Sequence, residues 1–125
     1  MKKTEYYFVY GTLKRGHGNN RILAESKTAK YIEDASTNSS YTMVSLGGFP
    51  GVTYGGNTSI KGEIWSVSDE ETKTRLDRLE GYRVGDSSSL YFKRKIKIGK
   101  RLVNIYLFND KRFGFKDNKI ESGTW

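Results

Sequence analysis

The sequence contains no cysteine, a single proline and a single histidine. Without cysteine there can be no disulfide, no thiolate nucleophile and no thiolate-held metal. The lone His17 sits in the glycine-flanked stretch "RGHGNN". A serine hydrolase needs an imidazole held by a partner, and a metal site usually needs more than one nitrogen ligand. Neither support is visible, so His17 reads as an exposed loop residue. Long hydrophobic runs are missing as well. The N-terminal "MKKTEYYFVYG" is too short for a secretory apolar segment and far too short to cross a bilayer. A soluble, cytoplasmic protein with no membrane partner is expected. Nor does the turn "GTLKRG" carry the terminal Gly-Lys-Ser/Thr element of a nucleotide-binding P-loop.

What is present is glycine, aromatic residues and positive charge. Fourteen glycines predict many tight turns and close backbone approaches. Hydrophobic residues at 35% and aromatics at 14% are enough for a folded core, and 125 residues fit one domain over 1–125. The formal charge is +8, from 22 Lys and Arg against 14 Asp and Glu. Such an excess can mark a nucleic-acid surface. In "YFKRKIKI", however, Lys93, Lys95 and Lys97 recur with period two, opposite Ile96 and Ile98. That spacing predicts a half-buried strand with a solvated basic face, and this reading is preferred to nucleic-acid contact.

Along the chain, "YYFVYG" predicts a buried strand and "YTMVSLG" another. Asn19 or Asn20 is placed to cap a short helix through "RILAES". "GGFPGVTYGGN" reads as a glycine-rich turn around Pro50. "SIKGEIWSV" alternates, with Ile60, Gly62 and Ile64 on one face. The clearest helix is "SDEETKTRLDRLEG". Ser68 and Glu71 have capping-box spacing, Leu76 and Leu79 form an inward stripe, and Gly81 is placed to end it. "LYFKRKIKI" and "LVNIYLF" then form a hairpin around "GKR". Strands dominate, which predicts an α+β domain with a strongly curved or barrel-like sheet flanked by short helices.

Two places invite chemistry. A glycine-bearing turn after a buried strand, Tyr10-Gly11-Thr12-Leu13, can present backbone N–H groups to a carboxylate or oxyanion. On residue chemistry alone, an ordinary turn with positive φ at Gly11 is the simpler account. The second place is Glu80, at the C-terminal end of the helix. That end carries partial negative charge and disfavours a carboxylate by up to about 1 kcal/mol. A partly desolvated Glu80 there would have a raised pKa, as a general base and acid near neutrality requires. A solvated glutamate at a frayed helix end is again the simpler account. Asp77, one turn earlier, is placed to pair with Arg78, Arg83 or Lys73. Tyr91 opens the basic strand as a packed aromatic whose hydroxyl could reach a site.

These scattered features share a pattern. "FVYGTLKRG", "GGFPGV", "KGEIWSVSDEETKTRLDRLEGY", "LYFKRKIKI" and "IESGTW" occur in the order found in the γ-glutamylcyclotransferase, or AIG2-like, family, and the sequence resembles that family over nearly its whole length. "LYFKRKIKI" departs slightly, with one extra residue before Arg94. The resemblance implies a compact mixed β-barrel with flanking helices and a reaction that needs no cofactor. A small-molecule γ-glutamyl substrate would cyclise to 5-oxoproline and release its amine. It also implies roles: Glu80 as acid and base, the backbone of Tyr10, Gly11, Thr12 and Leu13 as the substrate or oxyanion cradle, and Tyr91 as the residue orienting Glu80 or substrate. The polar stretch "GYRVGDSSSL" is expected to loop out beside the pocket. The alternatives are a non-catalytic ligand-binding member of the same fold and, after it, a basic nucleic-acid module. The oligomeric state is not encoded in any of these patterns.

Overall fold

A computed structural model describes residues 3–110 and 119–125 of the chain. Its elements in order are β1 (Glu5–Val9), α1 (Arg21–Ala24), β2 (Lys30–Ser36), β3 (Tyr41–Ser45), β4 (Pro50–Tyr54), β5 (Lys61–Val67), α2 (Glu70–Leu79), β6 (Tyr91–Ile98) and β7 (Arg101–Phe108). The five-stranded sheet runs β2-β5-β1-β7-β6, and β3 and β4 form a separate hairpin. All neighbours in the large sheet are antiparallel except β1 and β7, which run parallel with Tyr7 opposite Asn104. This is the expected α+β fold with a mixed sheet. The barrel is left open: β2 and β6 are edges rather than hydrogen-bonded neighbours.

The order follows from burial. β1 carries apolar residues on both faces, so it must be covered on both sides, and it takes the middle of the sheet. Tyr7 and Val9 face a cluster with Leu23 of α1, Leu76 of α2, and Trp65 and Val67 of β5. Phe8 and Tyr10 face the opposite cluster, with Met43 and Val52 from the β3–β4 hairpin and Ile64, Val103 and Ile105 from the sheet. β5 lies beside β1 and is buried from Glu63 to Val67, not on alternate positions only. The result is three layers, with helices, sheet and hairpin stacked in that order.

Several sequence expectations are corrected. "FPGVTY" is not a turn: Pro50–Tyr54 is a strand paired with β3 from Tyr41↔Tyr54 to Ser45↔Pro50. Gly51 permits it, because a Cβ there would come 3.0 Å from both Leu46 and Phe108. The cap of α2 is Asp69, whose side chain accepts from the Thr72 N–H, and not Ser68, whose hydroxyl pairs with that of Thr4. Asn20 occupies the cap position of α1, yet its amide donates to the Leu13 carbonyl instead of capping. Leu76 is fully buried, but Leu79 stays 38% exposed, so the inward stripe is half its expected width. The basic strand is less free than its spacing suggests. Lys93 pairs with Asp77, and Lys95 approaches Glu5, while Lys97 is exposed. No helix among the described residues is long and apolar enough to cross a membrane.

Candidate functional site

The three-layer arrangement leaves a cavity of about 290 Å³ at the end of the sheet where β1 gives way to its loop. That volume is on the scale of a small-molecule site. Its walls come from segments far apart in sequence: Phe8–Leu13, Gly48–Pro50, Leu79–Glu80, Leu90–Tyr91 and Tyr106, with Asn19 at one side. All six residues singled out from sequence, Tyr10, Gly11, Thr12, Leu13, Glu80 and Tyr91, line this cavity. His17 does not.

The loop after β1 is braced from below. The Asn19 amide donates to the Thr12 hydroxyl at 2.8 Å, and the Asn19 N–H donates to the Thr12 carbonyl at 3.0 Å. Farther along, the Arg15 N–H donates to Glu63 Oε1 at 3.0 Å, and the Arg15 guanidinium meets Oε2 at 3.1 Å. The N–H groups of Gly11, Thr12 and Leu13 have no acceptor among the described residues. Unpaired donors at a buried wall are costly unless a ligand or water takes them. Gly11 does not adopt the positive φ expected of it. Glycine is required there for space, because a Cβ would stand 2.8 Å from Cγ of Pro50.

Glu80 is the C-cap of α2. The Tyr82 N–H donates to the Asp77 carbonyl at 2.9 Å and the Gly81 N–H to the Arg78 carbonyl at 3.1 Å. Gly81 adopts φ +64°, so the helix ends in a Schellman turn. The end is therefore fixed, not frayed, and Glu80 has a defined position on the cavity wall. Its carboxylate accepts no hydrogen bond from any described residue. Burial pushes its pKa up to about 8, and the charge of Asp77 adds to the rise. Both protonation states of Glu80 are thus within reach near neutral pH.

The tyrosines are committed in ways the sequence did not disclose. The Tyr91 hydroxyl donates to the Pro50 carbonyl at 2.6 Å, so its proton is not directed at Glu80. The oxygen keeps acceptor capacity, and the bond ties β6 to the "FPG" segment of the wall. Tyr10 donates to the Tyr106 carbonyl and thereby fastens the loop to β7. Burial raises the pKa of both phenols, with the Glu80 charge a further cause. Sequence reasoning missed Tyr106 itself. Its ring lines the cavity and its hydroxyl donates to Asp77 Oδ1 at 2.6 Å. It missed Phe49 too, a large apolar residue left 39% exposed at the cavity. Only the spacing of Asp77 and Glu80, three residues apart on one helix, could have pointed to the first. The stretch after Glu80 does loop out, closed on itself by hydrogen bonds through Ser89, and it returns to the cavity at Leu90.

A mixed five-stranded sheet with helices on one side and a two-stranded hairpin on the other defines an α+β fold. The crystal structure of an AIG2-like protein from Mus musculus has the same fold, with a TM-score of 0.75 and 20% identity over 98% of this chain and 88% of that one. The solution structure of protein ytfP from Escherichia coli matches at a TM-score of 0.68 and 28% identity, over 96% of this chain and 95% of that one. Residues 7–125 match the gamma-glutamyl cyclotransferase, AIG2-like family, and the chain belongs to that family. Among curated relatives, a Vibrio cholerae protein named "Putative gamma-glutamylcyclotransferase" is 40% identical over 73 residues, 58% of this chain and 59% of that protein. The gamma-L-glutamyl-butirosin B gamma-glutamyl cyclotransferase of Niallia circulans is 32% identical over 108 residues, 82% of this chain and 65% of that protein. The matched region therefore spans somewhat under two thirds of each of these two relatives.

Proposed function

We propose that the chain is a cofactor-independent γ-glutamylcyclotransferase with Glu80 as its acid and base. The substrate class is a γ-glutamyl amine or γ-glutamyl amino acid, and the products are 5-oxoproline and the free amine. One observation carries the reading: a carboxylate with a pKa of about 8 and three backbone N–H groups, none of them with a hydrogen-bond partner among the described residues, line one small cavity.

The chemistry needs each part. The α-amino group of the substrate is an ammonium at neutral pH and cannot attack. Ionised Glu80 takes one of its protons. The freed amine adds to the γ-carbonyl carbon, a five-membered ring closes, and the carbonyl oxygen becomes an oxyanion. N–H groups of Gly11 to Leu13 are suited to that charge or to the substrate carboxylate. Protonated Glu80 then gives its proton to the leaving nitrogen, the C–N bond breaks and the carbonyl re-forms. The ring nitrogen, left as NH2+ by the attack, sheds its second proton, and the released amine takes it up as an ammonium, so the protons balance without an external acid. Holding the γ-glutamyl unit folded makes the attack intramolecular and supplies further rate. An ammonium docked beside Glu80 would also favour its ionised form, so binding itself readies the base.

The test is a panel of γ-glutamyl amines, γ-glutamyl amino acids and glutathione, with 5-oxoproline as the readout. Release from at least one member is expected, and Glu80→Gln should reduce it by about 10²-fold or more with the fold retained. Full activity in the Gln variant would remove Glu80 from the mechanism. Binding without turnover across the panel would leave a ligand-binding member of the fold.

A further inference from the structure

Asp77 lies one helical turn before Glu80, and its carboxylate is gripped by two strands at once. Tyr106 of β7 donates its hydroxyl to Oδ1 at 2.6 Å, and Nζ of Lys93, from β6, stands 3.2 Å from Oδ1 and 3.3 Å from Oδ2. Lys93 and Tyr106 are direct cross-strand partners in the β6–β7 register. One rung of the hairpin therefore delivers an ammonium and a phenol side by side to a single carboxylate. The same Lys93 Nζ stands 5.9 Å from the ring centroid of Tyr7 and 5.6 Å from that of Tyr82, so its charge is enclosed by aromatic faces. Both charged side chains are about three-quarters buried, at 22% and 24% exposure.

An ion pair so placed is not needed for solubility. It also puts a like charge next to Glu80, which an arrangement selected for stability alone would avoid. We infer that Asp77, clamped between Lys93 and Tyr106, is a positioning residue for Glu80: it fastens the last turn of α2 to the β6–β7 hairpin and sets a carboxylate one helical turn from the site. This rests on the proposed role of Glu80. The other titratable groups that bear on Glu80 are Tyr10 from the loop after β1, Tyr91 on β6 and Tyr106 on β7. All three phenols are neutral across the working range, because burial raises their pKa values. The charged neighbours that can be varied are thus Asp77 and, behind it, Lys93.

The two arms of the pair make opposite predictions. Asp77→Asn keeps an oxygen that can accept from Tyr106 but deletes the negative charge and leaves Lys93 uncompensated. The Glu80 titration midpoint should fall by about one pH unit or more. Lys93→Met deletes the compensating cation, so the midpoint should rise. The measurement is the pH titration of Glu80 followed by carbon NMR in glutamate-labelled protein, paired with the pH dependence of kcat/KM for 5-oxoproline release. A clamp that is merely structural would weaken both variants without moving the midpoints apart. Unchanged midpoints, or movement in the same direction, overturn the inference. Should Asp77→Asn fail to fold, Lys93→Met alone decides, since an unshifted Glu80 there is equally fatal. Opposed NMR shifts in a protein that makes no 5-oxoproline from any γ-glutamyl compound would uphold the electrostatic coupling and remove the catalytic role of Glu80.

Discussion

The two ends of α2 hold carboxylates in opposite conditions. At the N-terminus, Asp69 accepts from the Thr72 N–H and from the hydroxyls of Thr28, Thr72 and Ser26. Those donors, the Thr28 hydroxyl first, hold its pKa well below the usual carboxylate range. At the C-terminus, Glu80 has no donor among the described residues, is desolvated and faces Asp77, and its pKa rises to about 8. The helix dipole has the same sense, favouring the first charge and opposing the second. One helix thus carries a carboxylate fixed in its ionised form and another left free to change. The difference in acidity comes from surroundings, not from the type of side chain: hydroxyl and N–H donors hold Asp69 down, while burial and the Asp77 charge push Glu80 up.

The contrast can be broken most strongly at Glu80. Below its ordinary value of 4.5 the side chain is protonated whether the chain is folded or not. Between 4.5 and about 8 the unfolded chain ionises while the folded protein keeps the proton, so unfolding gains with pH; above that the penalty is constant. Glu80→Gln escapes the penalty. Its thermal stability should exceed that of the parent by a gap that widens through this window to on the order of a few kcal/mol, measured by unfolding at pH 5, 7 and 9. A gap independent of pH would mean that Glu80 is not desolvated.

At the other end the sign reverses. Asp69→Ala should cost about 2 kcal/mol at neutral pH, since a cap is lost and several hydroxyls lose their acceptor. The parent's advantage over this variant is fully present above the ordinary Asp value of 3.8 and should fade as acid titrates Asp69. Denaturant unfolding at pH 7 and pH 2.5 checks both statements. The midpoint of the Glu80 titration should not move, and a shift would show that the two ends are coupled. The smallest effect is expected for Thr28→Val, which removes one donor to Asp69 and the acceptor of the Ser68 N–H. About 1 kcal/mol should be lost, and acid unfolding should begin at higher pH.

Much of this was legible where local rules and tertiary demands agree. β1, β5, α2 and the β6–β7 hairpin show in periodicity, and Gly81 shows as the residue that ends the helix. The dipole rule only flagged Glu80 as unusual, and its suggested role came from the resemblance of "LDRLEG" to the family pattern. β2 was not, because "KYIEDAS" is a mostly exposed edge with little apolar alternation. β4 was hidden by glycines whose purpose is close packing rather than turning. The cap of α2 slipped by one residue because Ser68 and Asp69 are equally able locally, and Thr28, distant in sequence, settles the choice. The partners of Asp77 were invisible for the same reason. Residues that could pair along the helix were visible, whereas Lys93 and Tyr106 arrive from strands that only the fold brings near.

The parallel pairing of β1 with β7 makes this cavity depend on segments far apart in the chain. Tyr10 and the carbonyl it binds, on Tyr106, are 96 residues apart in sequence, and β7 must be in place before the loop after β1 has its anchor. Closing so large a span costs chain entropy before any contact repays it, which slows folding relative to a fold built from local contacts. The walls of the site therefore exist only where distant segments of the chain have been brought together. In the unfolded chain Glu80 lies in water with an ordinary carboxylate's acidity, so its raised pKa belongs to the assembled fold and not to the helix that carries it.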